Sequence, residues 1–320
     1  MTNLFQSKRA LRVFGICALS VAFICVILRL LGILFFFDLD IGYFKSGSIV
    51  PFILGALLIL STAASFAFCF IPKIKLHPTI PSGAANTQRF AIFPAAAFAY
   101  YSIIYGVNLL DYIKLYGSAQ FSYYFTLICS VLGCVFFLIA FLGKNTATPL
   151  YILCGALAII WTVLALAECY FDTFLQMNSP NKIIFQFSAL SAMLFTVNEM
   201  RIGLDERKPT FHLFSAAMAV IFLSTSALPS TICYYAGKMP QTYALLYSDF
   251  VFLMLCVFAV ARLLQLCFGK DEPLLTEDMT VCEASCEESS EQEQAAGENE
   301  QTVQDDTALT ADAETKESEL

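Results

Sequence analysis

Five ionisable residues sit where ions are costly. Arg29, Glu168, Asp249, Glu199 and Arg262 all fall inside or at the edge of long apolar runs. A charge in hydrocarbon costs about 2.5–3.5 kcal/mol on insertion scales, so such residues mark a ligand or ion site, or a structural pair. Arg29 is several residues from either polar flank of its run. Glu168 and Asp249 are the carboxylates expected at similar depth, with Asp111 nearer the surface. The chemistry open to this group is an ion pair, the holding of a charged ligand or the passage of an ion. A snorkelling Arg29 would need none of these.

Glu199 and Arg262 form a second group at the opposite edge. Glu199 and Arg201 are two residues apart and so point to different faces of a helix, whereas Arg262 and Gln265 are three apart and share one. A Glu199–Arg262 pair across the bundle is therefore expected, with Arg201 toward headgroups. Beyond these, the residue types offer little chemistry. The 12 cysteines show no metal-type spacing in the runs, and the two histidines, His77 and His212, have no second ligand in view. Without a nucleophile–base pair or a metal cluster, the expectation is no enzymatic activity, no metal and no cofactor.

Two further features bear on a site. Tyr43, Tyr112, Tyr116, Tyr123, Tyr124, Tyr170, Tyr234, Tyr235, Tyr243 and Tyr247 collect at one boundary, as a one-sided aromatic belt or as the lining of a vestibule around Arg29. Pro229 follows Ser224-Thr225-Ser226 inside a run and is expected to kink its helix by removing a hydrogen bond.

The elements that position these residues follow from composition. Of 320 residues, 58% are hydrophobic, against about 45–50% in soluble domains. A helix needs about 20 apolar residues to cross a hydrocarbon core. Eight runs qualify: Val13–Phe37, Ile49–Ile71, Phe90–Leu110, Phe121–Leu142, Leu150–Phe171, Ile183–Leu204, Phe211–Tyr234 and Tyr243–Phe268. Continuous runs of this length suit helices and not barrel strands, which alternate polar and apolar. The expected fold is an all-α integral membrane protein of eight helices arranged as four hairpins. The hairpin turns are read at Asp38–Ser48, Asp111–Gln120, Asp172–Lys182 and Ala236–Thr242, with prolines such as Pro149 and Pro209 closing each pair. Phe195–Arg201 and Phe258–Leu264 hint at a repeat, in which Glu199 lies opposite Arg262.

Orientation comes from basic residues. With the N-terminus inside, twelve fall on the cytoplasmic side, and only Lys45, Lys114, Lys182 and Lys238 on the other. Residues 1–12 are expected to form the cytoplasmic N-terminus, 13–270 the membrane domain and 271–320 a disordered acidic cytoplasmic tail. That tail holds 17 Asp and Glu against one Lys, too polar to fold alone. The first run is too long for a signal sequence and reads as an uncleaved helix. The lack of any N-x-[ST] sequon points to a bacterial plasma membrane. The expected partners are the lipid bilayer and a basic cytosolic protein held by the tail, with no nucleic acid. The function that fits best is membrane sensing or partner binding. The alternative is a small-solute transporter with its polar site in the outer half of the bundle.

Overall fold

The computed structural model describes residues 2–38, 43–45, 47–70, 85–143, 148–171, 179–203, 209–237 and 243–269. The acidic segment 271–320, His77, and the loop residues Lys73, Lys75, Lys144, Arg207, Lys208 and Lys238 lie outside the described residues. Nine α-helices account for nearly all of the rest: α1 (Thr2–Phe36), α2 (Val50–Phe70), the single turn α3 (Ala85–Gln88), α4 (Ile92–Tyr116), α5 (Phe121–Leu142), α6 (Pro149–Phe171), α7 (Pro180–Gly203), α8 (Pro209–Tyr235) and α9 (Tyr243–Phe268). Eight of them, all but α3, are long and apolar enough to cross a membrane. Their lipid-facing surfaces carry large exposed side chains such as Phe52, Ile59, Leu60 and Phe121.

Several boundaries differ from the sequence reading, each for a local reason. Helix α1 starts at Thr2, so the basic residues Lys8, Arg9 and Arg12 belong to the same helix as the apolar run. Its 35 residues reach about 52 Å at 1.5 Å per residue, well beyond a hydrocarbon core of about 30 Å. Helix α4 continues past Leu110 through Asp111 and Lys114, which pair at 2.8 Å on its surface. Charged residues end an apolar run without ending a helix. Gly117 ends it, at φ 81° with its N–H donating to the Ile113 carbonyl, a backbone shape that glycine adopts without penalty. Pro149, Pro180 and Pro209 open α6, α7 and α8. Proline is favoured at the first helical position because its missing N–H has no partner there. Pro149 and Pro209, read as stops, are starts.

A two-stranded ribbon joins α1 to α2, with β1 (Phe37–Asp38) antiparallel to β2 (Tyr43–Phe44) and the Phe37 and Phe44 rings meeting edge-on at 5.5 Å. Helix α8 is the hub. It packs on α1, α2, α7 and α9, and every residue from Ser215 to Leu223 is buried. A helix that is apolar on all sides belongs in the core. Helices α4, α5 and α6 pack in succession, and α4 and α6 also touch α9. Because α5 packs on α6 and α7 on α8, sequence-adjacent contacts run on through the bundle beyond the expected pairs. Small residues allow the close crossings. A Cβ at Gly155 would lie 2.5 Å from Met200 Sδ and 2.9 Å from Phe136 Cε2.

Candidate functional site

Among the described residues, the buried charged side chains gather at two ends of one three-helix unit. Helices α7, α8 and α9 each place a residue at both ends: Asn181, Ser230 and Asp249 at the first, Glu199, His212 and Arg262 at the second. Along α7 and α8 the two ends are 18 residues apart, about 27 Å, and along α9 they are 13 apart, about 20 Å.

At the first end Arg29 of α1 is inserted between α7 and α8 and is only 2% exposed. Its Nη2 donates to Asn181 Oδ1 at 3.3 Å and to Ser230 Oγ at 3.1 Å. The Asp249 carboxylate, also buried, interacts with it electrostatically. Glu168, the other expected carboxylate, instead accepts from Tyr105 Oη at 3.4 Å. Arg29 therefore does not snorkel. A guanidinium has five N–H donors, and two are used. Arg29 Nε and Nη1 and Asn181 Nδ2 have no hydrogen-bond partner among the described residues. An unpartnered buried donor costs about 1–3 kcal/mol, more when charged.

The local sequence explains the placement. Ser179 caps α7, its Oγ accepting from Lys182 N–H at 3.3 Å; this puts Asn181 in the first turn, facing α1. Lys182, read from sequence as a loop lysine, is 1% exposed and donates from Nζ to the Tyr170 carbonyl near the end of α6 at 3.2 Å. Cations are favoured at that end of a helix dipole. On α8, Ser230 directly follows Pro229, which lies inside the helix. One turn before Arg29, the Cys25 thiol lies beside Thr225 of α8. Helix α1 thus grips α8 on both sides of its proline.

At the second end Glu199 and Arg262 form a buried pair, 4% and 6% exposed. Arg262 Nε lies 3.0 and 3.2 Å from the two Glu199 oxygens and Nη2 lies 2.9 Å from Oε2, while Nη1 donates to Gln265 Oε1 at 2.9 Å. The Phe258 ring lies under the guanidinium at 5.3 Å. His212 Nε2 is 3.3 Å from Glu199 Oε1, close enough for attraction but off the line of a hydrogen bond. Tyr151 Oη donates to the Glu199 carbonyl at 3.4 Å. The arrangement is a lock between α7 and α9, with α8 and α6 leaning on it.

Between the ends the unit is closed. Ser188 Oγ donates to the Ile184 carbonyl of its own helix and lies 2.9 Å from the Phe222 carbonyl of α8. Cys256 Sγ reaches the Val220 carbonyl from α9 at 3.9 Å. Thr196 and Thr225 turn back on their own helices. Phe185, Phe252, Phe195 and Phe258 fill the remaining space, with ring contacts of 5.2 and 5.6 Å. Six of the ten boundary tyrosines face outward, and the side chains of Tyr43 and Tyr243 lie outside the described residues. Tyr112, Tyr116, Tyr123, Tyr124, Tyr170 and Tyr235 are exposed on the outside of the bundle, the arrangement of a belt.

No protein-family model, curated protein or solved structure matches this chain. Of the residues singled out from sequence, the structure joins Glu199 to Arg262 and sets Asp249 near Arg29, while Glu168 stands with Tyr105. Asn181, Lys182, Ser230 and His212 went unnoticed as participants. Asn181, Ser230 and His212 start or punctuate apolar runs, and the signal that could have found them is their helical register with the charged residues. Asn181 and Glu199 are 18 residues apart, five turns of α7, and therefore share one face.

Proposed function

We propose that this protein is a sensing protein of a plasma membrane, binding a small ligand at its Arg29 end and reporting occupancy at its Glu199 end. One observation carries the reading: the same three helices supply both polar ends and are joined between them by Ser188–Phe222 and Cys256–Val220 contacts. A change in how α8 sits against Arg29 has a direct mechanical route to His212, and from there to the Glu199–Arg262 lock. Pro229 beside Ser230 supplies the yielding point, because proline removes the backbone bond that would stiffen α8 there.

The charge asymmetry of the loops supports an orientation with both termini in the cytoplasm and the Arg29 end outward. The lock then lies at the cytoplasmic edge, and the acidic segment 271–320 would engage a basic cytosolic partner. A transporter would need a polar route across the midplane. Between the two ends the hydroxyls of Ser188, Ser191, Thr196 and Thr225 are taken up by helix carbonyls, which favours signalling over passage.

The test needs no knowledge of the ligand. Unfolding free energies of Arg29→Gln, Arg262→Gln and the double variant form a cycle between groups about 20–27 Å apart. Independent sites this distant add within about 0.3–0.5 kcal/mol, whereas a two-state element linking them gives a coupling of about 0.5–2 kcal/mol. Additivity would remove the signalling reading.

A further inference from the structure

The geometry points to an oxyanion, a carboxylate or a phosphate, as the ligand of the Arg29 site. This deepens the sensing reading and rests on it for the site's purpose, but the chemistry of recognition comes from the site alone. The unmet hydrogen-bonding capacity of Arg29 and Asn181 consists of donors. Arg29 keeps one N–H on Nε and two on Nη1, and Asn181 keeps its amide NH2, all without partners among the described residues. Asn181 presents its oxygen to Arg29, so its NH2 group necessarily points elsewhere.

A donor-rich cation would face a second positive charge, and an apolar ligand would leave every N–H unpaired. Oxyanion oxygens accept several N–H bonds at once, and charge-assisted bonds to guanidinium are about twice as strong as neutral ones. The backbone agrees. The site lies at the N-terminal turn of α7, the positive end of its dipole, and that turn contains no acidic residue. A cation, Lys182, follows Asn181 directly. Asp249 offsets part of the Arg29 charge. It tempers the affinity without supplying acceptors to Nε or Nη1, which remain unbonded.

An oxyanion can arrive from two sources, as a free solute or as a lipid phosphate, and the experiment separates them. The full-length protein is reconstituted in phosphatidylcholine nanodiscs, and its unfolding midpoint is followed against sodium phosphate and sodium acetate, with sodium chloride at equal ionic strength as reference. A parallel series replaces 30% of the lipid, roughly, with phosphatidylglycerol. The expected result is a midpoint that rises with phosphate or acetate above the chloride reference. A rise in the phosphatidylglycerol series alone identifies the lipid as the source.

Two variants bear on the assignment. Arg29→Gln should raise the half-saturating concentration at least tenfold. Should it fail to fold, Asn181→Asp provides an independent reading. It places a built-in carboxylate on Arg29, so it should raise the midpoint without ligand and abolish the response to added anion. No Arg29-dependent response in any arm overturns the proposal. A response to anion with additive mutant cycles would instead retain the ligand class and overturn the signalling reading.

Discussion

Replacing Arg262 with Met, while Glu199 stays, isolates the cost of an unpaired charge inside the bundle. The wild-type pair has N–O distances of 2.9, 3.0 and 3.2 Å, and both residues are more than nine-tenths buried. Removing one partner of such a pair costs about 3–5 kcal/mol, because the remaining ion keeps its desolvation penalty. At about 1.4 kcal/mol per tenfold, the folded-to-unfolded ratio falls roughly a hundred- to several-thousand-fold. His212 beside Glu199 offers only partial compensation, since it is not aligned for a hydrogen bond. Changing both residues to Met removes both ions and keeps most of the volume. The double variant should therefore lie within about 1 kcal/mol of wild type, as replaced buried pairs often do. The assay is reversible unfolding in mixed dodecylsulfate micelles, followed by far-ultraviolet circular dichroism. A loss below about 1 kcal/mol for Arg262→Met, or a double variant as damaged as the sum of the singles, refutes the reasoning.

Other outcomes follow from packing and topology. Gly155→Ala should destabilise by about 1–3 kcal/mol, because its Cβ would collide with Met200 and with the buried Phe136 ring. Gly55→Ala meets nothing within 4 Å and should gain up to about 1 kcal/mol from helix propensity; equal effects at the two sites in the same unfolding assay would contradict the packing. Ser188→Ala should cost only about 0.6 kcal/mol, the average for interhelical bonds in membranes, and a loss above 2 kcal/mol would mean the α7–α8 contact does more than bridge. In a cysteine-free background, a membrane-impermeant maleimide added outside intact cells should label Ser118→Cys and spare Thr148→Cys, and the reverse pattern would invert the proposed orientation.

Much of the scaffold was readable because hydrocarbon imposes a length rule that eight runs satisfy. The Phe121–Leu142 helix has the same bounds in sequence and structure. The Glu199–Arg262 pair was also legible, since two opposite charges at matching distances from their run ends have few other partners. Arg29 was legible as an anomaly, but its neighbours were not. Asn181 and Ser230 are neutral, so neither disturbs hydropathy enough to draw notice, and they lie 152 and 201 residues away in the chain. Lys182 was misplaced because a lysine after Pro180 and Asn181 resembles a loop, whereas that proline starts a helix. The central position of α8 left no periodic signal. Lipid and protein interiors are equally apolar, so a helix in contact with either reads alike.

Those sequence separations also set a schedule for biogenesis. Arg29 enters the bilayer with the first helix, but its partner Ser230 has yet to be synthesised. At about 5–20 residues per second, the 201 residues between them take on the order of 10–40 s. For the first 152 residues of that interval the guanidinium has neither Asn181 nor Ser230. Hydrocarbon will not hold it bare, so the newborn first helix must ride high, with Arg29 drawn up among the headgroups. Arrival of the seventh span lets it sink. On this schedule the mature site would form only after a late vertical movement of the oldest helix, with the arginine as a float that keeps α1 from settling before its partners arrive.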